Sequence, residues 1–419
     1  MKKLVLIAAI LLIPIIIALS SCHTCQVLEI NPIAQLFTST QEMISPWVDF
    51  TKEEVAEPPL LKYSISNLKK YPYQTSDIIL TELIDESDGV QTFLFNYQTM
   101  NKKMTGSANL PAQCLSQTCP VIIMVRGYAT PEQYSPGFGT RNAARVFAQN
   151  GYVTLAPDFF GFAGADPEPE NSWEARFIKP INVIELVKSI QAQPTLYKQS
   201  LHQEENNSAL SEELRQPLAR LNPDQVGFWA HSNGGQITLT TLQVLSEPLP
   251  ATLWAPVTAP FPYSILFFTR TSTDEGKETR AWLALLEKEH DLREFSVTQQ
   301  LQYLTGPIQI HHGGRDPDAL QAWSDSFARM VEQENQNRLE QSQKKALEKA
   351  TSAAETTGTA ETTGTAETAA TNQVEQLLEP ITLNYFTYPN ADHNLQPAEN
   401  WNSAMQRDLE FFSAVFHRN

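Results

Sequence analysis

Positive charge is scarce in this 419-residue chain: 30 Lys and Arg stand against 47 Asp and Glu, a formal net charge of −17. A nucleic-acid surface is built from lysines and arginines that neutralise phosphates, so no nucleic-acid partner is expected. Cysteine is scarce too, with Cys22, Cys25, Cys114 and Cys119 the whole set. The run Cys22-His-Thr-Cys25 lacks a second pair or histidines at zinc spacing. It closes an N-terminal apolar stretch, so it reads as processing chemistry rather than a metal site, and no metal is expected.

What is present begins with that stretch. Met1-Lys-Lys is a positive start, Leu4 to Leu19 carries no charge, and Leu19-Ser-Ser-Cys22 closes it with small residues. This is the pattern of a secretory signal. Its end resembles a bacterial lipobox, in which the cysteine, here Cys22, becomes the first mature residue and carries lipid. The body is therefore expected to be exported and held at the cell-envelope membrane by a lipid anchor, outside the cytoplasm. Export leaves room for a disulfide between Cys114 and Cys119, closing a short loop between two predicted strands. Residues 23–59 are polar and contain Pro32, Pro46, Pro58 and Pro59, as in a tether, with one short helix at 32–40.

A hydrophobic content of 42% is enough for a substantial core. Residues 77–84, 91–97 and 103–110 read as short strands with turn residues between them, hence antiparallel hairpins. The pattern then changes. Pro120-Val-Ile-Ile-Met-Val125 is a continuous apolar run, as in a strand buried on both faces. Helices are predicted at 140–150, 179–193, 233–246 and 398–417, alternating with strands at 152–156, 226–230, 252–255, 307–312 and 381–387. Alternation of this kind implies a doubly wound, mostly parallel sheet, with active residues at the carboxyl ends of its strands. Two segments interrupt it. Residues 258–304 hold Phe261, Tyr263, Phe267 and Phe268 and a helical run at 278–290, and read as a small helical cap. Residues 332–373 read as a charged helix followed by a disordered, low-complexity Ala-Glu-Thr-Thr-Gly-Thr repeat.

The stretch Val226-Gly-Phe-Trp-Ala-His-Ser-Asn-Gly-Gly-Gln-Ile237 organises the rest. It is a strand, a sharp turn and the start of a helix, with Ser232 at the apex. Ala230-x-Ser232-x-Gly234 places small residues two before and two after the serine, as in a nucleophile elbow. The N–H of Asn233, at the helix start, is a candidate oxyanion donor. The alternative is a serine that merely caps a helix.

A serine needs a base, and the base needs an orienting carboxylate. Both follow in chain order. Ile308-Gln-Ile-His-His-Gly-Gly-Arg-Asp316 puts an aspartate after a strand and a Gly-Gly turn, and Tyr385-Phe-Thr-Tyr-Pro-Asn-Ala-Asp-His393 puts a histidine in a loop after a strand. Asp318 competes with Asp316 for the acid. Asp392 neighbours His393 and reads as structural, while His311 and His312 read as packing or turn-supporting residues. His231 is expected to point away into the packing of the elbow. Tyr128, in the loop Arg126-Gly-Tyr128 after the first buried strand, is the candidate for a second oxyanion donor.

Together these motifs resemble the α/β-hydrolase domain of the prolyl oligopeptidase family. They are Val125-Arg-Gly-Tyr128, Leu155-Ala-Pro-Asp-Phe-Phe-Gly161, Trp229-Ala-His-Ser-Asn-Gly-Gly235, His312-Gly-Gly-Arg-Asp316 and Tyr388-Pro-Asn-Ala-Asp-His393. The resemblance covers residue 120 onward, the repeat apart, and implies an α/β-hydrolase fold over 60–419. It implies Ser232 as nucleophile, Asp316 as acid, His393 as base, and Asn233 with Tyr128 as oxyanion hole. Asp158 falls on a loop-positioning aspartate. Glu170 and Glu174 are nearby acids with no role carried over. The family's N-terminal β-propeller finds no room between the signal and Leu60. The expected activity is therefore a serine peptidase acting without cofactor, with a carboxylesterase as the alternative substrate class. A hydrolase-fold binding protein without chemistry is a third reading.

Overall fold

The computed structural model describes residues 59–199, 215–356 and 379–417. The signal segment with Cys22, the tether up to residue 58, and the repeat lie outside the described residues.

Two tight turns start the sheet. Strand β1 (Ile78–Ser87) turns through Asp88-Gly89 into β2 (Val90–Thr99), which turns through Met100-Asn101 into β3 (Lys102–Pro111). All four turn residues have positive φ, from 51° to 74°. Two-residue turns of that hand match the natural twist of the flanking strands, and Asp, Asn and Gly tolerate it best. The strands β4 (Cys119–Val125), β5 (Val153–Pro157), β6 (Thr195–Gln199), β7 (Arg215–His231), β8 (Ala251–Trp254), β9 (Ile308–Gly313) and β10 (Leu383–Tyr388) complete a 10-stranded sheet. Its order is β10-β9-β8-β7-β4-β5-β3-β2-β1-β6. From β5 to β10 the neighbours are parallel, while β1, β2, β3 and β5 pair antiparallel.

The helices are α1 (Ile65–Leu68), α2 (Arg141–Gln149), α3 (Ser172–Phe177), α4 (Lys179–Ala192), α5 (Asn233–Leu245), α6 (Tyr263–Thr269), α7 (Lys277–Glu289), α8 (Gln321–Thr356) and α9 (Ala398–Phe416). The two faces of the sheet are covered separately. In β4, Val121, Ile123 and Val125 join the core formed with α4 and α5, while Ile122 and Met124 join Phe147 of α2 and Phe412 and Phe416 of α9. Successive side chains point to opposite faces, so a continuous apolar run is what a strand covered on both sides needs.

Among the described residues the predicted strands and helices form to within a few residues, apart from the earlier starts of β7 and α8, and the structure adds one strand and the short helices α1, α3 and α6. Thr195–Gln199 is a strand, and β7 starts at Arg215 rather than near Val226. Its first half pairs antiparallel with β6, and β6 lies parallel to β1. Pro217, Pro223 and the polar residues around them read as loop. The edge of β1 supplies the pairing that local sequence does not show, and proline is tolerated at such an edge.

Helix α8 begins at Gln321, well before the charged stretch. Arg338 on it is buried and donates to the carbonyls of Leu301 (3.0 Å), Leu304 (2.9 Å) and Glu379 (2.7 Å), with Glu334 3.0 Å away. Cys114 and Cys119 are joined in a disulfide, closing the loop between β3 and β4. Among the described residues no helix is long and apolar enough to cross a membrane.

Candidate active site

Strand β7 is followed directly by Ser232, whose backbone is held at φ 56° and ψ −123°. Such a conformation costs a non-glycine residue energy and persists only where its surroundings enforce it. Here they do. The Ser232 N–H donates to the Trp254 carbonyl (2.9 Å), and the Ser232 carbonyl accepts from Gly235 (2.9 Å) and Val257 (3.0 Å). The two glycines that follow are a steric requirement. A Cβ on Gly234 would stand 2.1 Å from the Val125 carbonyl oxygen, and one on Gly235 would stand 2.5 Å from Cβ of Pro256. Only glycine lets α5 start this close to β4.

The candidate acid, Asp316, follows the turn after β9. The turn's Gly314 and Arg315 N–H groups donate to the Tyr388 (2.8 Å) and Ala391 (2.9 Å) carbonyls, which ties the turn to the loop after β10. The Asp316 side chain is fully buried. Its Oδ1 accepts the N–H groups of Asp318 (2.8 Å) and Ala319 (2.9 Å), and its Oδ2 lies 2.8 Å from Nδ1 of His393. His312 Nε2 stands 3.4 Å from the same oxygen while bonded to the Ala319 carbonyl at 2.8 Å. Burial alone would push the Asp316 carboxyl up. The hydrogen bonds from His312, His393 and the Ala319 N–H outweigh it and hold the group well below its ordinary range. Asp316, not Asp318, therefore faces the histidine. Asp318 lends its backbone N–H, and its exposed carboxylate lies on the rim.

His393 sits in a loop that Asp392 braces, accepting the N–H groups of Asn394 and Gln396 (both 2.9 Å). One expectation fails here. The His231 ring does not turn away. It lies 4.6 Å from the His393 ring, with Nε2 2.9 Å from the His393 carbonyl oxygen. Strand alternation explains this: residues i and i+2 share a face, so His231 follows Trp229, whose ring it stacks on, toward the α9 side where the His393 loop lies. The period-2 pattern of β7 was the available signal. Burial first, and His393 nearby second, lower the His231 imidazole to about 4. It is neutral at pH 7, so Nε2 carries the proton and donates to the carbonyl. A native value below the ordinary 6.5 means that the unfolded chain binds the proton first. His231 thus contributes stability above pH 6.5 and loses it as the pH falls toward 4. The melting temperature is expected to fall by about 4 °C more between pH 7 and pH 4.5 than in His231→Gln, whose amide keeps the donor without titrating. Parallel melting curves for the two proteins would contradict this.

Ser232, His231 and His393 line one cavity of about 1010 Å³. Ser232 Oγ makes no hydrogen bond among the described residues. Contacts of this kind often tighten only when substrate is bound. The cap segment adds Ile265, Phe268 and Trp282 to the cavity, and Arg126, Arg176 and Lys179 line it as well. Tyr128 also lines it, with its residue surface 79% exposed and no partner for its N–H among the described residues. Asn233 is the first residue of α5, where a helix leaves N–H groups unpaired. Both candidate oxyanion donors thus stand free beside Ser232.

Asp158 is tied into a hydrogen-bond network with Thr105, Tyr134 and Arg126. It accepts from Thr105 Oγ1 (2.5 Å) and Tyr134 Oη (2.6 Å), while its carbonyl takes the Arg126 guanidinium (2.8 Å). Glu174 is held by Tyr63 and Glu170 lines no part of the cavity. His311 pairs with Asp408 at 3.0 Å, both fully buried, inside a network with Gln309 and Tyr388 away from the cavity. Atoms of Asp316, Asp318 and His393 lie within 4.8 Å of one another, close enough to hold a cation. The Asp316 oxygens already serve the donors named above, so the set reads as an acid–base pair.

No protein-family model and no curated protein sequence matches the chain. Solved structures do. Acetyl xylan esterase from Paenibacillus sp. R4 is similar over 83% of this chain and 91% of its own, at 12% identity and a TM-score of 0.51. The chain has the α/β-hydrolase fold. Acetyl xylan esterase 1 from Thermoanaerobacterium sp. JW/SL YS485 matches over 84% and 94% (11% identity, TM-score 0.49). Dipeptidyl peptidase 4 from Porphyromonas gingivalis matches over 83% of this chain and 37% of its own (15% identity, TM-score 0.44). At 12% identity the first of these similarities shows the fold and not a substrate.

Proposed function

We propose that the protein is an exported serine hydrolase that cleaves an ester or amide bond through an acyl-enzyme on Ser232. The observation that carries this is the His393 Nδ1–Asp316 Oδ2 contact of 2.8 Å, in the cavity that holds a serine on a strained elbow. Asp316 fixes the imidazole with Nδ1–H toward the carboxylate, which leaves Nε2 to take the Ser232 proton. Ser232 Oγ attacks the carbonyl, and the N–H groups of Asn233 and Tyr128 receive the developing oxyanion. His393 returns the proton to the leaving group, and water then releases the acyl group by the same steps in reverse roles.

Within this class the motifs favour a peptide substrate of the prolyl oligopeptidase kind. The cavity favours the second reading, an ester, because Arg126, Arg176 and Lys179 among its lining side chains are ill suited to a peptide's free amino end. Profiling the purified protein against a peptide-amide library and a short-chain ester panel tests both. Ser232-dependent amide cleavage supports the peptidase, and Ser232-dependent ester cleavage alone supports the esterase. Absence of both overturns the proposal.

We place the protein at the cell-envelope membrane through lipid on Cys22. Cys22→Ser is expected to move it from the membrane fraction to the soluble fraction, with little change in specific activity. Retention on membranes after signal cleavage would remove the anchor.

A further inference from the structure

The cavity is lined by cationic side chains that the hydrolytic steps do not require. In a chain with a net charge of −17, Arg126, Arg176 and Lys179 all face one cavity. Arg126 is accounted for. It donates to the Gly127 carbonyl (2.9 Å) and the Asp158 carbonyl (2.8 Å), and its guanidinium lies against the rings of Phe162 (4.1 Å) and Tyr134 (4.7 Å). It shapes the loop that presents Tyr128.

Arg176 and Lys179 are not accounted for in this way. Arg176 lies in the last turn of α3 and donates to Gln236 Oε1 at 3.2 Å. Among the described residues no carboxylate meets it. Lys179 opens α4 and has no hydrogen bond or ion pair among the described residues. Glu168 shares the cavity but is exposed and forms no ion pair with Lys179. The cavity's other carboxylate, on Asp318, stands at the His393 end. Burial lowers the Arg176 guanidinium to about 10. Burial first, then Arg176 and Arg126, lower the Lys179 ammonium to about 8, with Glu168 opposing. Neighbouring like charges without a counterion destabilise a fold, so their placement asks for a ligand that supplies one.

Their position relative to the chemistry is specific. Gln236, which carries Arg176, is one turn of α5 beyond Ser232, about 6 Å along the helix axis. We propose that Arg176 and Lys179 form an anion-binding subsite, so that the substrate cleaved at Ser232 carries an oxyanion group, carboxylate or phosphate, near its scissile carbonyl. This rests on the serine-hydrolase reading above. The planar guanidinium offers paired N–H donors to two oxygens, and the ammonium serves as a point charge beside it.

The test uses matched 4-nitrophenyl esters: the neutral butyrate, the glutarate monoester, and the 4-phosphonobutanoate, whose C–P bond makes its anionic group a hydrolysis-resistant stand-in for phosphate. At least one anionic ester is expected to exceed the butyrate tenfold or more in kcat/KM, and the ratio between the two anions tells carboxylate from phosphate. Lys179→Met and Arg176→Met are each expected to lower the anionic-to-neutral ratio about tenfold. Independently of turnover, glutarate or inorganic phosphate is expected to raise the melting temperature of the full chain, and to leave that of the double variant unchanged. Lys179→Met without ligand is expected to melt at or above the parent temperature, whereas a lysine kept for the fold would melt lower. Equal ratios for all three esters, or ratios unmoved in both variants, or no thermal shift with either anion, would overturn the subsite. Butyrate hydrolysis that survives Ser232→Ala would overturn the hydrolase reading instead.

Discussion

Ser232→Ala is expected to lower hydrolysis by about a million-fold, since loss of the nucleophile removes nearly all that the catalytic set contributes together. The melting temperature is expected to stay within about 2 °C of the parent. The two expectations belong together. Ser232 Oγ makes no hydrogen bond among the described residues, so its removal leaves no buried group unpaired. The conformation of residue 232 is fixed by backbone bonds to Trp254, Gly235 and Val257, which alanine keeps. A serine that merely capped α5 would show the reverse pattern, a loss of stability with hydrolysis intact. Steady-state kinetics and thermal melting of the same preparation separate the two.

Asp316→Asn is expected to cost about ten-thousand-fold in kcat. Asparagine matches the shape of the carboxylate but not its acceptor set. The carboxylate takes N–H groups from Asp318 and Ala319 on one oxygen and faces His393 Nδ1 with the other. With the amide oxygen left toward the two backbone donors, the NH₂ group faces His393. Nδ1 must then accept, the proton moves to Nε2, and the base is lost. Turned the other way, the NH₂ group opposes two backbone N–H groups. The substitution should also change the acid limb of stability. A carboxyl depressed in the native state contributes stability in full above its ordinary value of 3.8 and loses it as the pH falls below that. The parent should therefore lose stability below about pH 4 more steeply than Asp316→Asn. Melting curves from pH 7 to pH 3 would show it, and equal slopes would contradict the paired carboxylate.

Much of the fold was legible in the sequence because the signals were local. The all-apolar Val121–Val125, the turn residues between the first three strands and the Ser-Asn-Gly-Gly elbow each carry their own physical reason. The candidate site was legible for a related cause: serine, acid and base each follow a strand, and a parallel sheet brings such strand ends together. The choice of Asp316 over Asp318 followed from the Gly-Gly turn that precedes it. What was not legible depends on distant partners. Thr195–Gln199 is a strand because β1 lies beside it. His231 faces His393 because β7 and the loop after β10 converge there. Arg176 and Lys179 gain meaning only when α3 and α4 are seen to line the cavity over Ser232, and no spacing in the sequence announces that.

The most direct test of the proposed chemistry is to label the purified protein with a fluorophosphonate, digest it and locate the adduct by mass spectrometry. The expected result is a single adduct on Ser232, lost in Ser232→Ala and much slowed in Asp316→Asn. An adduct on another residue, or no adduct on a preparation that hydrolyses esters or amides, would contradict it.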